Sequence, residues 1–222
     1  MNTEKQSIYR GDKAVRTFLA TILFSGLAYG FYRGIQDNYL AEIVKISEFE
    51  RGIVEFFREI PGLLLVFILA AMYRFSETKV FKIGTAIMLS GVLGLLLLGS
   101  SKVVVILFMV VFSTGEHIVM PIKSSMSLSF AKNDKGGASL GVTSSISHGG
   151  NIIGFFLVSA LFFVFSRIGI ARDSIIGFRT VFIIAAVLLL LSTLIVLTMK
   201  DQGKPVRRSR LYINKKYHKF YM

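Results

Sequence analysis

A carboxylate and an imidazole stand side by side within an apolar stretch, and they are the residues best suited to chemistry. Glu116 and His117 lie in VVVILFMVVFSTGEHIVMPI, between Lys102 and Lys123. About 20 apolar residues are long enough to cross a bilayer as a helix. Because a charge at the centre of such a helix costs at least ~2.5 kcal/mol, these residues need a polar partner or a water-filled cavity.

Two further polar residues are predicted at a similar depth. His148 and Asn151 belong to the apolar segment 138–165, which follows the segment of Glu116 and must run antiparallel to it. Glu116 is seven residues, or about 10 Å, before Lys123. We therefore expect Glu116, His117, His148 and Asn151 to form one layer that faces a pathway for a solute or an ion.

Other interpretations of this layer remain open. Polar side chains can simply hold helices together, at about 0.6 kcal/mol each. A metal site made of Glu116, His117 and His148 suits the pattern poorly, because neighbours on a helix point about 100° apart. An enzyme would need a nucleophile, and the nearest candidates are Ser144, Ser145 and Ser147. Small polar residues in a packed helix explain these serines better, so we predict neither an enzyme nor a cofactor.

A second polar layer is predicted towards the opposite side of the membrane. Arg33 and Asp37 are four residues apart and share one helix face. Arg58 and Glu59 precede Pro61, which can kink a helix and free a backbone carbonyl. We predict that the four charged residues interact across the first two helices, as an outer gate or an ion-recognition site. Snorkelling to the interface is the alternative for Arg33.

The composition indicates a membrane protein. Of the 222 residues 53% are hydrophobic and 18% charged, and a soluble domain of this size cannot bury that much apolar surface. There is no cysteine, so disulfides and cysteine metal sites are excluded. Six apolar segments predict an all-α bundle of six transmembrane helices with short loops: 17–38, 52–73, 83–99, 103–122, 138–165 and 175–199.

The net charge of +13 follows from topology and does not predict nucleic-acid binding. With a cytoplasmic amino terminus, 18 of the 26 Lys and Arg residues fall on the cytoplasmic side, as the positive-inside rule expects. We predict a cytoplasmic segment 1–16, a bundle 17–199 and a basic cytoplasmic linker or tail 200–222 that contacts anionic lipid. Both termini are then cytoplasmic, and the expected location is the cell (plasma or inner) membrane.

Glycines indicate where helices touch. Gly26, Gly30 and Gly34 repeat every four residues in the first segment, and Gly150 and Gly154 do so in the fifth. Such stripes let helix backbones approach closely.

Four stretches have residues of known transporter motifs. In AAMYRFSETKVFKIG, Arg74, Phe75 and Lys79 match the loop pattern G-x-L-x-D-R-x-G-R-R, with Tyr73 in place of the Asp. In the fourth segment, Leu107 and Gly115 fit L-x3-R-x2-Q-G, without its Arg. The segment GFRTVFIIAAVLLLL is similar to the sixth-helix pattern G-W-R-W-x-F. The match to G-x8-G-x3-G-P-x2-G-G comprises Gly141, Gly150 and Gly154.

Nearly the whole chain therefore resembles the amino-terminal six-helix half of the major facilitator superfamily. The resemblance implies a 3+3 inverted repeat, a second six-helix half on the same polypeptide or another subunit, and a substrate near the midplane. It also implies that the first and fourth helices line the cavity, with Arg33 and Asp37 on one and Glu116 and His117 on the other.

We expect transport of a small solute by alternating access, coupled to protons or sodium, since a histidine changes charge near neutral pH. The alternative is a channel or membrane scaffold made of self-associating six-helix units. The expected partners are the lipid bilayer and a small-molecule substrate.

The topology is testable because the chain contains no cysteine. Single cysteines placed at Ser7, Ser76, Asn133 and Ser209 should react with membrane-impermeant thiol reagents only after the cells are opened. Cysteines at Ser47 and Ser174 should react in intact cells. Labelling of Ser76 or Asn133 from outside would contradict the six-segment topology.

Overall fold

The computed structural model describes residues 7–9, 13–99, 101–132 and 134–201, and this part of the chain is all-α. Most of the predicted segments 1–16 and 200–222, together with Asn133 and Ser209, lies outside the described residues. The helices are α1 (Lys13–Asn38), α2 (Glu48–Leu63), α3 (Leu65–Ala71), α4 (Glu77–Leu98), α5 (Lys102–Phe130), α6 (Gly136–Arg167) and α7 (Ile175–Leu197). A π-helical turn, Tyr39–Ile43, extends α1.

Five helices in the described part of the chain are long and apolar enough to cross a membrane. They are α1 with its π-helical extension, α4, α5, α6 and α7. The chain is thus an all-α protein with a membrane-embedded body, as its composition predicts.

Serine caps set the start of several helices. The Ser47 hydroxyl accepts from the Glu50 N–H, and the Glu50 carboxylate accepts from the Ser47 N–H, which completes a capping box. The hydroxyl groups of Ser76 and Ser101 likewise accept from the N–H groups of Lys79 in α4 and Val104 in α5, without a capping box. Each serine oxygen accepts a hydrogen bond from an N–H that has no partner within its helix. The helices therefore begin directly after these serines.

The second predicted segment, 52–73, differs from the structure. It is divided at Leu64 into α2 and the short α3, and so it is not among the five continuous spanning helices. Pro61 lies inside α2, just before the break. Proline has no N–H and its ring crowds the preceding turn, so the regular ladder is interrupted here.

Helix α5 runs further than predicted. The expected segment ended at residue 122, because Lys123 was interpreted as an interface residue, but α5 continues to Phe130. Serines in the added turns find partners on neighbouring helices. The Ser127 hydroxyl lies 2.9 Å from that of Ser139 and 2.8 Å from that of Thr143, both on α6. These bonds let a polar stretch remain buried and helical.

The helices pack in a regular scheme. Helix α1 packs on α6 and α7, α5 packs on α2 and α4, and α4 packs on α7. Aromatic rings fill the centre, where Tyr32 of α1 lies 4.0 Å from Phe112 of α5 and 6.5 Å from Phe182 of α7, measured between ring centroids.

The described ends of the chain lie at the same end of the bundle. The Lys132 N–H donates to the Ile8 carbonyl, beside an isolated β-bridge between Tyr9 and Ala131. At the same end, the Ser76 hydroxyl donates to the Asp201 carboxylate over 2.9 Å.

Helices α1 and α6 approach each other closely at the predicted glycines. A Cβ added to Gly26 would stand 2.6 Å from the Ser147 carbonyl oxygen, and one at Gly30 only 2.3 Å from that of Asn151. Gly150 and Gly154 meet the α1 backbone in return, while Gly34 meets side chains of α6. These contacts have the small-residue geometry expected from the sequence.

Gly141, also predicted as a packing glycine, packs against no other helix within the described residues. A Cβ at Gly141 would meet no described atom within 4 Å, and the residue is exposed. It stands near the start of α6, before that helix approaches α1.

Replacing Gly30 with alanine should separate α1 from α6. The added methyl would meet the carbonyl oxygen of Asn151 and the Cα of Gly154, and backbone atoms cannot move aside cheaply. We expect a loss of about 1–3 kcal/mol in unfolding free energy, measured as a lower unfolding temperature in detergent. Gly149→Ala is the matched control, because nothing lies within 4 Å of its Cβ. Equal stability of the two variants would contradict this close packing.

Candidate functional site

A half-open cavity of about 200 Å³ lies between α1, α4, α5 and α6, and two of its lining residues, Met120 and His148, are exposed. It contains both ionisable and amide side chains from the predicted deep layer. The lining residues are Ser25, Gly26, Tyr29, Met88, Glu116, Val119, Met120, Lys123, Ser147, His148 and Asn151.

The cavity lies at the middle of the helices that form it. Glu116 is fourteen residues from each end of α5. Asn151 is fifteen residues after the start of α6 and sixteen before its end. Met88 is eleven residues after the start of α4. In a membrane of ordinary thickness, these midpoints lie near the bilayer centre, far from either headgroup region.

Three of the four predicted deep residues line this cavity. Glu116 enters it from α5, and His148 and Asn151 enter it from α6. The Oδ1 atom of Asn151 is buried and has no hydrogen-bond partner among the described residues. A buried acceptor without a partner is costly, so this oxygen is suited to receive a donor from a bound molecule.

His117, the fourth predicted residue, belongs to a different environment. Its Nδ1 atom lies 2.9 Å from the Ser113 carbonyl oxygen, and its Nε2 atom lies 3.6 Å from the Glu59 carboxylate of α2. The adjacent residues Glu116 and His117 therefore face different neighbours, as the 100° step of a helix requires. The expectation that all four residues form one layer facing one pathway is wrong for His117.

Lys123 and Tyr29 are cavity residues that the sequence reasoning missed. The Lys123 ammonium donates to the Ser147 hydroxyl over 3.0 Å. The Tyr29 hydroxyl lies beside the Glu116 carboxylate. Helical spacing could have predicted Lys123 as a cavity residue, because it is seven residues after Glu116 and hence on the same helix face.

The residues named for the metal and enzyme alternatives lie in different surroundings. Among them, no group of three or more His, Asp or Glu side chains is arranged to hold a metal ion. Of the candidate serines, Ser147 lines the cavity, where its hydroxyl accepts from Lys123. Ser144 and Ser145 are exposed.

The outer charged residues pair differently from the prediction. Arg58 pairs with Glu55 at 2.7 Å and with Glu59 at 2.5 Å, both on its own helix. Asp37 pairs with Arg51 of α2. Arg33 donates to Gln36 one turn along α1, over 2.9 Å. The first two helices are thus joined through Asp37 and Arg51, and not through Arg33 and Arg58.

A further ion pair fastens the start of α2 to the start of α5. The Lys102 ammonium contacts both Glu50 carboxylate oxygens at 2.7 Å. This contact, together with the Ser47 N–H and hydroxyl, lowers the pKa of Glu50 to about 2. Because the folded-state pKa lies below the unfolded value, the contribution to stability is complete above about pH 4.5 and is lost as the pH falls towards 2.

The predicted loop motif lies on the surface between α3 and α4. Arg74 contacts the neighbouring Tyr73, with its Nε atom 3.0 Å from the phenol oxygen. The Lys79 ammonium lies 3.6 Å from the Asp201 carboxylate, which also accepts from Ser76. Phe75 is exposed. This loop is therefore fastened to the residues that follow α7, through Ser76 and Asp201, which the sequence reasoning did not select.

In comparisons with known proteins, no family model and no curated protein matches the chain.

Arg58 should contribute more to stability than a typical surface arginine. Its side chain is 14% exposed and lies between two carboxylates, which would repel each other without it. We expect Arg58→Gln to cost about 1.5–3 kcal/mol, the range for hydrogen bonds to charged groups, measured by unfolding in detergent. Arg172→Gln, in the exposed turn after α6, is the control and should be neutral. If Arg58→Gln leaves the unfolding free energy unchanged, these ion pairs contribute no more than ordinary surface contacts.

Proposed function

We propose that the protein carries a small solute across a membrane by alternating access, as half of a facilitator-type carrier. The observation that carries this proposal is the cavity at the midpoint of α1, α4, α5 and α6, with Glu116, Lys123, His148 and Asn151 in its wall. Ionisable groups at this depth are expensive, and they typically mark the path of a substrate or an ion.

The packing scheme supports the proposed 3+3 inverted repeat. Residues 48–71 extend over about 36 Å at helical rise, so α2 and α3 are treated as one kinked crossing. The first three crossings are then α1, α2–α3 and α4, and the last three are α5, α6 and α7. In such a repeat α1 corresponds to α5, α2–α3 to α6, and α4 to α7. The contacts of α1 with α6 and α7 then correspond to those of α5 with α2 and α4, and all four contacts are present. Transporter halves of the facilitator type have this internal symmetry.

Two faces of the bundle support the proposed second six-helix half. Helix α3 has no buried residue, and only 17% of the most apolar part of α6 is buried. Exposed apolar side chains on α2, α3 and α6 include Phe56, Phe57, Phe67, Ile152, Phe156 and Phe163. A second half, on the same polypeptide or another subunit, would cover these faces and close the solute pathway.

Self-association is the second candidate, since copies of this chain could cover the same faces and form a channel or scaffold. The reading frame beyond Met222 separates the two. Six further apolar segments there, or in a neighbouring subunit, would favour the carrier.

Proton coupling would use Glu116 and His148, which line the same cavity from α5 and α6. Water that enters the cavity reaches both side chains, which makes both of them candidates for proton transfer during the transport cycle. We propose the cell membrane as the location, with both termini cytoplasmic.

The Glu116→Gln variant should lose pH-dependent uptake and remain folded in the membrane. The amide keeps the size of the side chain but cannot exchange a proton. His148→Ala should shift the pH optimum, while His117→Ala should do less, because His117 faces α2. The measurement is uptake of a broad solute panel into vesicles that contain the complete carrier, between pH 5 and 8.

Glu48→Gln, on the exposed first turn of α2, is the matched control and should keep the wild-type pH profile. Expression is checked separately for every variant. An unchanged pH profile in Glu116→Gln would eliminate the proton role of Glu116. No uptake of any solute, combined with ion conductance, would favour the channel.

A further inference from the structure

The central cavity carries two opposite charges, and both come from α5. Glu116 and Lys123 are two helical turns apart, so they share a helix face with Cα atoms about 10 Å apart. Both line the cavity. None of the ion pairs within the described residues joins these two side chains. The two side chains interact electrostatically without direct contact, so a bound molecule that carries both charges can bridge them.

One end of the cavity is rich in acceptors. The Glu116 carboxylate and Asn151 stand at the midpoints of their helices, and the Oδ1 atom of Asn151 is buried without a hydrogen-bond partner among the described residues. The Tyr29 hydroxyl lies beside the carboxylate. A carboxylate and an amide oxygen together suit a group with several N–H donors and a positive charge.

The other end of the cavity presents an ammonium group. Lys123 is two turns nearer the end of α5, and its Nζ donates to the Ser147 hydroxyl over 3.0 Å. An ammonium group has three N–H donors. Its remaining donors and its charge suit an anionic acceptor such as a carboxylate.

We infer that the cavity binds a small zwitterion, with its ammonium group at Glu116 and Asn151 and its carboxylate at Lys123. A molecule with a single charge would contact only one of the two fixed charges. A zwitterion pairs with both and enters without net charge. This inference rests on the proposed function only in treating the cavity as the solute site.

The geometry also limits the length of the zwitterion. A cavity of about 200 Å³ is smaller than the roughly 300–1,000 Å³ of sites for drug-sized ligands. The Lys123 ammonium contacts Ser147, which is one helical turn before Asn151 on α6, so the two ends of the site are close together. A short zwitterion therefore fits this cavity better than a long one.

The test is equilibrium binding to the purified 222-residue chain in detergent at pH 7. The probes are glycine, β-alanine, 4-aminobutyrate and 6-aminohexanoate, which differ only in the spacing of the two charges. Binding of 4-aminobutyrate should be tighter than binding of 6-aminohexanoate, which is long for a cavity of this volume. Butyrate and butylamine, which each carry one of its charges, should bind at least tenfold more weakly.

Each variant should gain affinity for a ligand with a single charge, in addition to losing affinity for the zwitterion. Glu116→Gln should bind 4-aminobutyrate at least tenfold more weakly and butyrate more tightly than the wild type does. Lys123→Gln should instead gain affinity for butylamine. These gains also report that each variant is folded. Glu48→Gln and Lys45→Gln, both at exposed positions, are the matched controls and should bind like the wild type.

Equal binding of butyrate, butylamine and 4-aminobutyrate by the wild type would overturn the inference. So would the absence of binding of every zwitterion in the series at 10 mM. Glu116-dependent uptake of a solute that is not a zwitterion would keep the proposed carrier function and overturn this inference. Binding of the zwitterion without uptake would support the inference and count against the carrier.

Discussion

The close approach of α1 and α6 is the constraint on which the rest of the structure depends. At Gly30 the two backbones are so near that a methyl group would contact the Asn151 carbonyl oxygen at 2.3 Å. This contact sets α6 at the height where Asn151 and Ser147 stand beside α1. Without van der Waals packing between small residues, two helices in lipid gain little by associating, because lipid tails are as apolar as their side chains. The polar cavity therefore depends on an apolar contact.

The position of each charged pair along the helices follows from how well water can solvate it. The pairs between Glu50 and Lys102 and between Asp37 and Arg51 lie at the ends of helices, where water solvates charge. Glu116 and Lys123 stand further inside, within reach of a cavity. A charge in the bundle interior is tolerated when protein dipoles, a counter-charge or water replace its hydration. This makes the cavity the part of the bundle in which a bound solute would have most effect.

One end of the bundle is held together differently from its middle. Asp201 accepts from Ser76, and the Lys82 ammonium donates to the Met199 carbonyl, so the chain after α7 is fastened to the start of α4. Backbone bonds join Ile8 to Lys132 at the same end. In the middle, by contrast, Asn151 keeps an unpaired oxygen and Glu116 forms none of the ion pairs among the described residues. The unpaired Asn151 oxygen, in a bundle that is closed at one end by such bonds, points to a site that is completed by a bound molecule.

The sequence by itself determined the helical class, the membrane environment and most helix bounds, because apolar length and serine caps act locally. It also indicated the glycine contacts and the depth of Glu116, His148 and Asn151, since depth follows from residue count. Only the tertiary structure decided which of these face one another. It turned His117 towards α2, extended α5 so that Lys123 lines the cavity, and divided the second segment at Leu64. These outcomes depend on the rotation of each helix about its axis, and that rotation is decided by contacts between helices distant in sequence.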